Sequence, residues 1–137
     1  MFVSISIYSQ KIYLCDSNYS NDIVYNVHNG KVYEGSSRYS SNIIYTFDGK
    51  YLYKGNSHYR SNIIGTWYNN RIYKGCSTYQ SDLLAIYKNN KLYSKDKYTV
   101  IFIYKNNYVY DKNSPYKNSI LIHTSGYVCP IILYFLL

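Results

Sequence analysis

Residues 31–50 read KVYEGSSRYSSNIIYTFDGK and residues 51–70 read YLYKGNSHYRSNIIGTWYNN, two successive copies of one pattern. Copies starting at Lys11 and Arg71 flank them without a gap, so unit starts recur every 20 residues from Lys11 to Asn90. Two less regular copies follow from Lys91 and Tyr108. Self-similarity at a fixed period is the mark of a repeat architecture, in which no unit buries its apolar face alone. The chain therefore reads as one repeat domain, 1–137, with regular repeats over 11–90 and degenerate repeats over 91–126. Residues 127–137 are expected to supply a closing C-terminal strand, and MFVSISIYSQ at the start resembles the second half of a unit.

Each unit has a physical reading. Its second residue is aliphatic (Ile12, Val32, Leu52, Ile72, Leu92, Val109) and its third is Tyr, which predicts a short strand with one buried face. Gly35, Gly55 and Gly75 end that strand in the regular units, at places where a β-carbon is expected to crowd the turn or a neighbouring backbone. A polar loop follows, then a longer strand such as NIIYTF from Asn42 or NIIGTW from Asn62. Alternation places Ile43, Tyr45 and Phe47 on one face and Ile44 on the other, so both faces are expected to be packed near the strand start. Asn29-Gly30, Asp48-Gly49, Asn69-Asn70, Asn89-Asn90, Asn106-Asn107 and Ser125-Gly126 then separate each long strand from the next short one. Two-residue hairpin turns need positive φ, which Gly and Asn accept most readily.

The fold class that follows is all-β: tandem hairpins of about 20 residues stacked side by side, with essentially no helix. A pseudo-symmetric closed ring removes exposed strand edges and is preferred, an open β-solenoid being the alternative. Gly65 and Ala85 stand where other units carry Tyr25 and Tyr45, which predicts crowding at that column in the middle units.

Composition narrows the functional classes. The chain has 22 Tyr but only 16% charged residues, and its 47% hydrophobic content excludes a disordered chain. The net charge of +8 is spread as single Lys and Arg residues rather than gathered into a run. A nucleic-acid partner therefore ranks below a glycan or protein partner. Cys15, Cys76 and Cys129 form no metal-ligand or disulfide spacing, and the defaults are a reducing compartment and a cytoplasmic location. The terminal IILYFLL is too short to cross a membrane as a helix. An unpaired terminal strand would offer a route to homo-oligomers.

The pattern carried by VYEGSSRYSSNII, LYKGNSHYRSNII and IYKGCSTYQSDLL resembles that of the four-fold beta-flower proteins, which implies a compact pseudo-symmetric set of hairpins and no assigned activity. The pattern weakens after Lys91, which puts strict four-fold symmetry in question. Choline-binding repeats are also aromatic hairpins, but they depend on Trp-rich cages, and Trp67 is the one Trp here.

No catalytic, metal or cofactor site is expected. His28, His58 and His123 fall at different places in their units, and no phosphate loop or nucleophile motif is present. Asp22 and Asp82 share a column with Asn42 and Asn62, so that column calls for a hydrogen-bonding group rather than a charge. The best binding candidates are the loop tyrosines Tyr19, Tyr39, Tyr59 and Tyr79, joined by Tyr98 and Tyr116 in the degenerate units, with Arg38, His58 and Arg60 beside them. Such rings make a stacking platform if they project outward. A residue repeated in every unit more often serves stacking between units, so these rings are expected to fold over the neighbouring hairpin and seal the core rim.

Overall fold

A computed structural model describes residues 9–112 and 114–137. Twelve antiparallel strands follow one another around a closed barrel, and the first pairs with the last. They are β1 (Gln10–Leu14), β2 (Ile23–His28), β3 (Lys31–Glu34), β4 (Ile43–Phe47), β5 (Tyr51–Lys54) and β6 (Ile63–Tyr68), then β7 (Arg71–Lys74), β8 (Leu83–Lys88), β9 (Lys91–Ser94), β10 (Val100–Lys105), β11 (Tyr108–Asp111) and β12 (Ile120–Thr124). The ring forms, not the open solenoid. Residues 1–8, which include most of the N-terminal half-unit inferred from sequence, lie outside the described residues.

The two ends of the barrel differ in chemistry. At one end Asn29-Gly30, Asn69-Asn70, Asn89-Asn90 and Asn106-Asn107 all have φ between 50° and 75°. These are the mirror-image turns whose twist matches that of a hairpin. At the other end, longer polar loops join each short strand to the next long one. Gly35, Gly55 and Gly75 open three of these loops with φ of +78°, +70° and +63°, and a β-carbon added there would meet nothing within 4 Å. The sequence reading of crowding is thus corrected: the left-handed backbone selects glycine, not lack of space.

A β-bulge recurs in every unit. Val32 pairs with Tyr45 and Tyr33 with Ile43, leaving Ile44 as the extra residue. Val24, Ile64, Leu84, Ile101 and Leu121 are the extra residues of the other five pairings. The bulge breaks the alternation that put Ile43 on one face with Tyr45, while packing on both faces holds, with Leu83 and Tyr73 buried in the outer row. Val24, Ile44, Ile64, Leu84 and Ile101 pack against the one central core. Ile43 instead shares the outer row with Tyr33.

That core is built on a ring of six aliphatic side chains. Ile12, Val32, Leu52, Ile72, Leu92 and Val109 are each 0% exposed and belong to one cluster. Twelve strands spaced about 4.8 Å apart form a circle of about 9 Å radius even before tilt. Residues of Val and Ile size cannot fill such a lumen. A helix with its side chains, about 10–12 Å across, can.

The filler is α1 (Pro130–Leu136), which corrects the expectation of a closing strand over 127–137 and of a chain without helix. Two causes make it helical. β1 already occupies the free edge of β12, so a thirteenth strand would have no ladder to join. Inside an apolar lumen, moreover, a segment must satisfy its own backbone, which a helix does. Pro130 opens α1 at the position where a missing N–H costs nothing. Ile131 and Leu133 are fully buried, and the Tyr45 hydroxyl donates to the Phe135 carbonyl at 3.3 Å. A β-carbon on Gly65 would stand 2.9 Å from the Phe135 ring and 3.3 Å from Ile131. The crowding read from the Gly65 and Ala85 column is therefore real, and α1 is its source at Gly65.

Buried Tyr104 holds the chain where it turns inward. Its hydroxyl lies 3.0 Å from Thr124 Oγ1 and accepts the Val128 N–H at 2.9 Å. Across the seam, His123 is sandwiched between Tyr13 and Tyr108, with ring centroids 5.8 and 4.5 Å away. With the ring closed, no strand edge is free among the described residues, which removes the edge-pairing route to homo-oligomers suggested by the sequence.

Cys129 reports on this packing. Burial pushes its thiol up to about 12 from the ordinary 9.0. The unfolded chain thus loses this proton at lower pH than the folded one, so folding stability is full below about pH 9 and falls toward pH 12. The urea midpoint is expected to drop between pH 9 and 11, and to drop less steeply in Cys129→Ala; equal slopes would contradict the burial of α1.

Candidate functional site

The loop end of the barrel carries the candidate site. The regular loops share one construction. In each, the Tyr of the column stands in extended backbone just before a 3-10 turn, at Ser20–Asp22, Ser40–Asn42, Arg60–Asn62, Gln80–Asp82 and, in the last unit, Lys117–Ser119. The Tyr carbonyl accepts the N–H three residues on, at 2.9 Å from Asp22, Asn42, Asn62 and Asp82 and 2.8 Å from Ser119. A side-chain clasp closes each loop: Ser17 donates to Asp22 and Ser77 to Asp82 at 2.6 Å, and Asn62 donates to Ser57 at 2.7 Å. Asn42 bonds Ser37 in the same way, and Ser119 bonds Ser114. Asp and Asn are interchangeable because the clasp needs a hydrogen bond, as the sequence column indicated.

This geometry fixes the backbone of Tyr19, Tyr39, Tyr59, Tyr79 and Tyr116 and leaves each ring outside. Tyr98, in a shorter loop without that turn, is held by its N–H to Asp96 at 2.8 Å. Tyr19, Tyr39, Tyr59, Tyr79, Tyr98 and Tyr116 are between 70% and 86% exposed. The expectation that these rings fold over the neighbouring hairpin is overturned. The sealing is done by other groups. Tyr33, Tyr53 and Tyr73, the third residues of their units, are only 5–7% exposed. Over them, Asn26 donates to the Gly35 carbonyl at 2.9 Å, Thr46 to that of Gly55 at 2.8 Å and Thr66 to that of Gly75 at 2.7 Å, drawing each loop onto the barrel wall.

The result is a crown of six separated tyrosines, one per hairpin. Among the described residues none of their rings stacks on another of the six. Neighbouring crown positions are two strands apart, about 10 Å along the rim. Arg38 and Arg60 are both exposed, one just before Tyr39 and the other just after Tyr59. The one ion pair among the described residues joins Lys117, just after Tyr116, to Asp16 in the Tyr19 loop at 3.8 Å, and so links two neighbouring crown loops. His58 leans on the Tyr53 ring at 5.5 Å and so belongs to the wall. Among the described residues no three His, Cys, Asp or Glu gather as a metal site would require, and no helix is long and apolar enough to cross a membrane.

Chemically, the crown offers flat π-faces on rigid supports, ringed by Ser, Asn and Gln. It holds no paired general acid and base. The sequence signal for the crown was the Tyr column itself. Its outward direction was hidden because sequence does not show that a 3-10 turn follows each Tyr.

A closed ring of six hairpins, tight turns at one end, loops at the other and an axial helix, defines a flower-type β-repeat protein. The family model for the 6-fold beta flower protein matches residues 12–133. The chain belongs to that family. The resemblance to four-fold flowers is right about the type of repeat and wrong about its order: the degenerate units after Lys91 complete a six-fold ring. No curated protein and no solved structure matched the chain.

Two substitutions separate crown from wall. Tyr59→Ala is expected to change stability by less than about 0.5 kcal/mol. Tyr53→Ala, from the buried wall column, is expected to cost about 3–5 kcal/mol. Urea unfolding of both variants checks this, and a large loss for Tyr59→Ala would put its ring in the structure rather than on the surface.

Proposed function

We propose that this protein is a non-catalytic interaction module whose working surface is the tyrosine crown. The observation that carries this reading is the contrast within the five full-length loops: a backbone held by a turn and a clasp, and a large apolar ring left in water. An exposed ring of this size gains most when a partner covers it, and its pinned backbone lowers the ordering cost of that step. Six such rings at regular spacing favour a partner that touches several at once, since each further contact is then intramolecular.

A glycan fits this surface best. Sugar rings present flat C–H faces to aromatic rings, and the hydroxyls and amides of the crown loops suit their polar edges. The crown mixes few charges among these polar groups, with Arg38, Arg60, Lys97 and Lys117 next to its tyrosines and Lys117 paired with Asp16. A nucleic acid would draw on the net charge of +8 and would show affinity falling steeply with salt.

Glycan-array binding by the full chain tests the reading. The double variant Tyr39→Ala/Tyr59→Ala is expected to lose at least tenfold in signal with its unfolding transition unchanged. An unchanged array profile in that variant would remove the crown as the site. Binding only to single-stranded oligonucleotides, abolished by salt, would replace the glycan reading.

A further inference from the structure

The fifth unit breaks the pattern on the outer wall, away from the crown. In three units a full-length loop is drawn over the wall by Asn26, Thr46 or Thr66. Opposite Tyr93 of the fifth unit that column holds Ile86, which like Ile103 opposite Tyr110 has no donor to offer. Here alone the following loop is cut to residues 95–99 with no 3-10 turn. The wall tyrosine below it, Tyr93, is half-buried, as Tyr13 and Tyr110 are, whereas Tyr33, Tyr53 and Tyr73 are buried.

The uncovered space is an open groove of about 350 Å³, lined by Arg71, Ile86, Lys88, Asn89, Tyr93 and Lys97. Arg71 pairs with Ile86 and Ile86 with Tyr93, so the three form one row across β7, β8 and β9. Three cations and no carboxylate line the groove. Asp96, the acid next to Lys97 in sequence, is engaged within its own loop. It accepts the N–H groups of Tyr98 and Thr99 at 2.8 Å and the Thr99 hydroxyl at 2.6 Å. These bonds hold its carboxyl well below the usual carboxylate range. They also fix the short loop in which Lys97 adopts φ +69°, a left-handed conformation that a lysine takes only when its surroundings impose it.

We propose that this groove is a binding site for a phosphate or sulfate monoester carried on a single ring. Tyr93 and Ile86 form an apolar floor for the ring. Arg71 supplies a planar fork matched to an oxyanion, and Lys88 and Lys97 add point charges around it. The volume lies at the low end of small-molecule sites, which suits one ring with one ester group and not a chain of them. The site lies on the barrel wall and uses none of the crown tyrosines, though Lys97 reaches it from the loop that carries Tyr98.

Amide chemical-shift titration of the full chain with phenyl phosphate tests this, with inorganic phosphate and phenol as the separate halves. Phenyl phosphate is expected to shift Arg71, Ile86 and Tyr93 and to bind at least tenfold more tightly than either half. Arg71→Gln/Lys97→Gln is expected to weaken it at least tenfold while the spectrum stays that of the folded protein. Lys11→Gln/Lys50→Gln, which removes the same charge elsewhere, is expected to bind as the wild type does. Equal binding of inorganic phosphate, equal loss in the two double variants, or shifts spread over other lysines would each overturn the proposal.

Discussion

Closure of β1 onto β12 is the constraint from which the rest of the structure follows. It satisfies the last strand edge and at the same time encloses a lumen wider than its lining side chains can fill. The six aliphatic residues at second positions make that lining continuous, and α1 makes it solid. Gly65 shows how closely the two are matched, since even one β-carbon there would press on Phe135. Tyr104 links ring and plug by accepting from Val128 at the point where the chain turns into the barrel. A ring without its plug would leave apolar walls facing water, so the end of the chain is as much a part of the fold as any repeat.

Closure also divides the labour between the two ends. The tight turns are short because Asn and Gly accept positive φ, which leaves little surface for a partner at that end. The loop end has room for an eight-residue connection, and that length allows a left-handed start, a clasp and a 3-10 turn to be assembled independently of the core. The crown rings can therefore vary without disturbing the barrel. The fifth unit shows the converse: with a short loop and Ile86 in place of a donor, the wall itself becomes the accessible surface.

Much of this architecture was legible in the sequence. Period and hairpin turns followed from the spacing of Tyr, aliphatic and Asn/Gly positions, and the ring was preferred to an open solenoid because it leaves no strand edge. The Ser and Asn/Asp clasp could be read because Asp22 and Asp82 substitute for Asn42 and Asn62. Three features were not legible, each for a physical reason. The bulge at Ile44 shifts register by one residue, so alternation alone sets Ile43 beside Tyr45 when it lies in the outer row with Tyr33. The helix at Pro130 depends on the lumen around it, and IILYFLL is equally apolar as a strand. The direction of Tyr59 is set by a turn formed by the three residues after it, none of which differs in type from ordinary loop residues.

The most direct test of the account is the contact between Gly65 and Phe135, because it exists only if the ring is closed and α1 lies inside it. A nuclear Overhauser measurement on the full chain in solution is expected to show a strong cross-peak between the Gly65 α-protons and the Phe135 ring protons, with helical shifts over residues 130–136. Extended-strand shifts across that segment, with cross-strand peaks in place of the Gly65 contact, would contradict a barrel plugged by its own C-terminal helix.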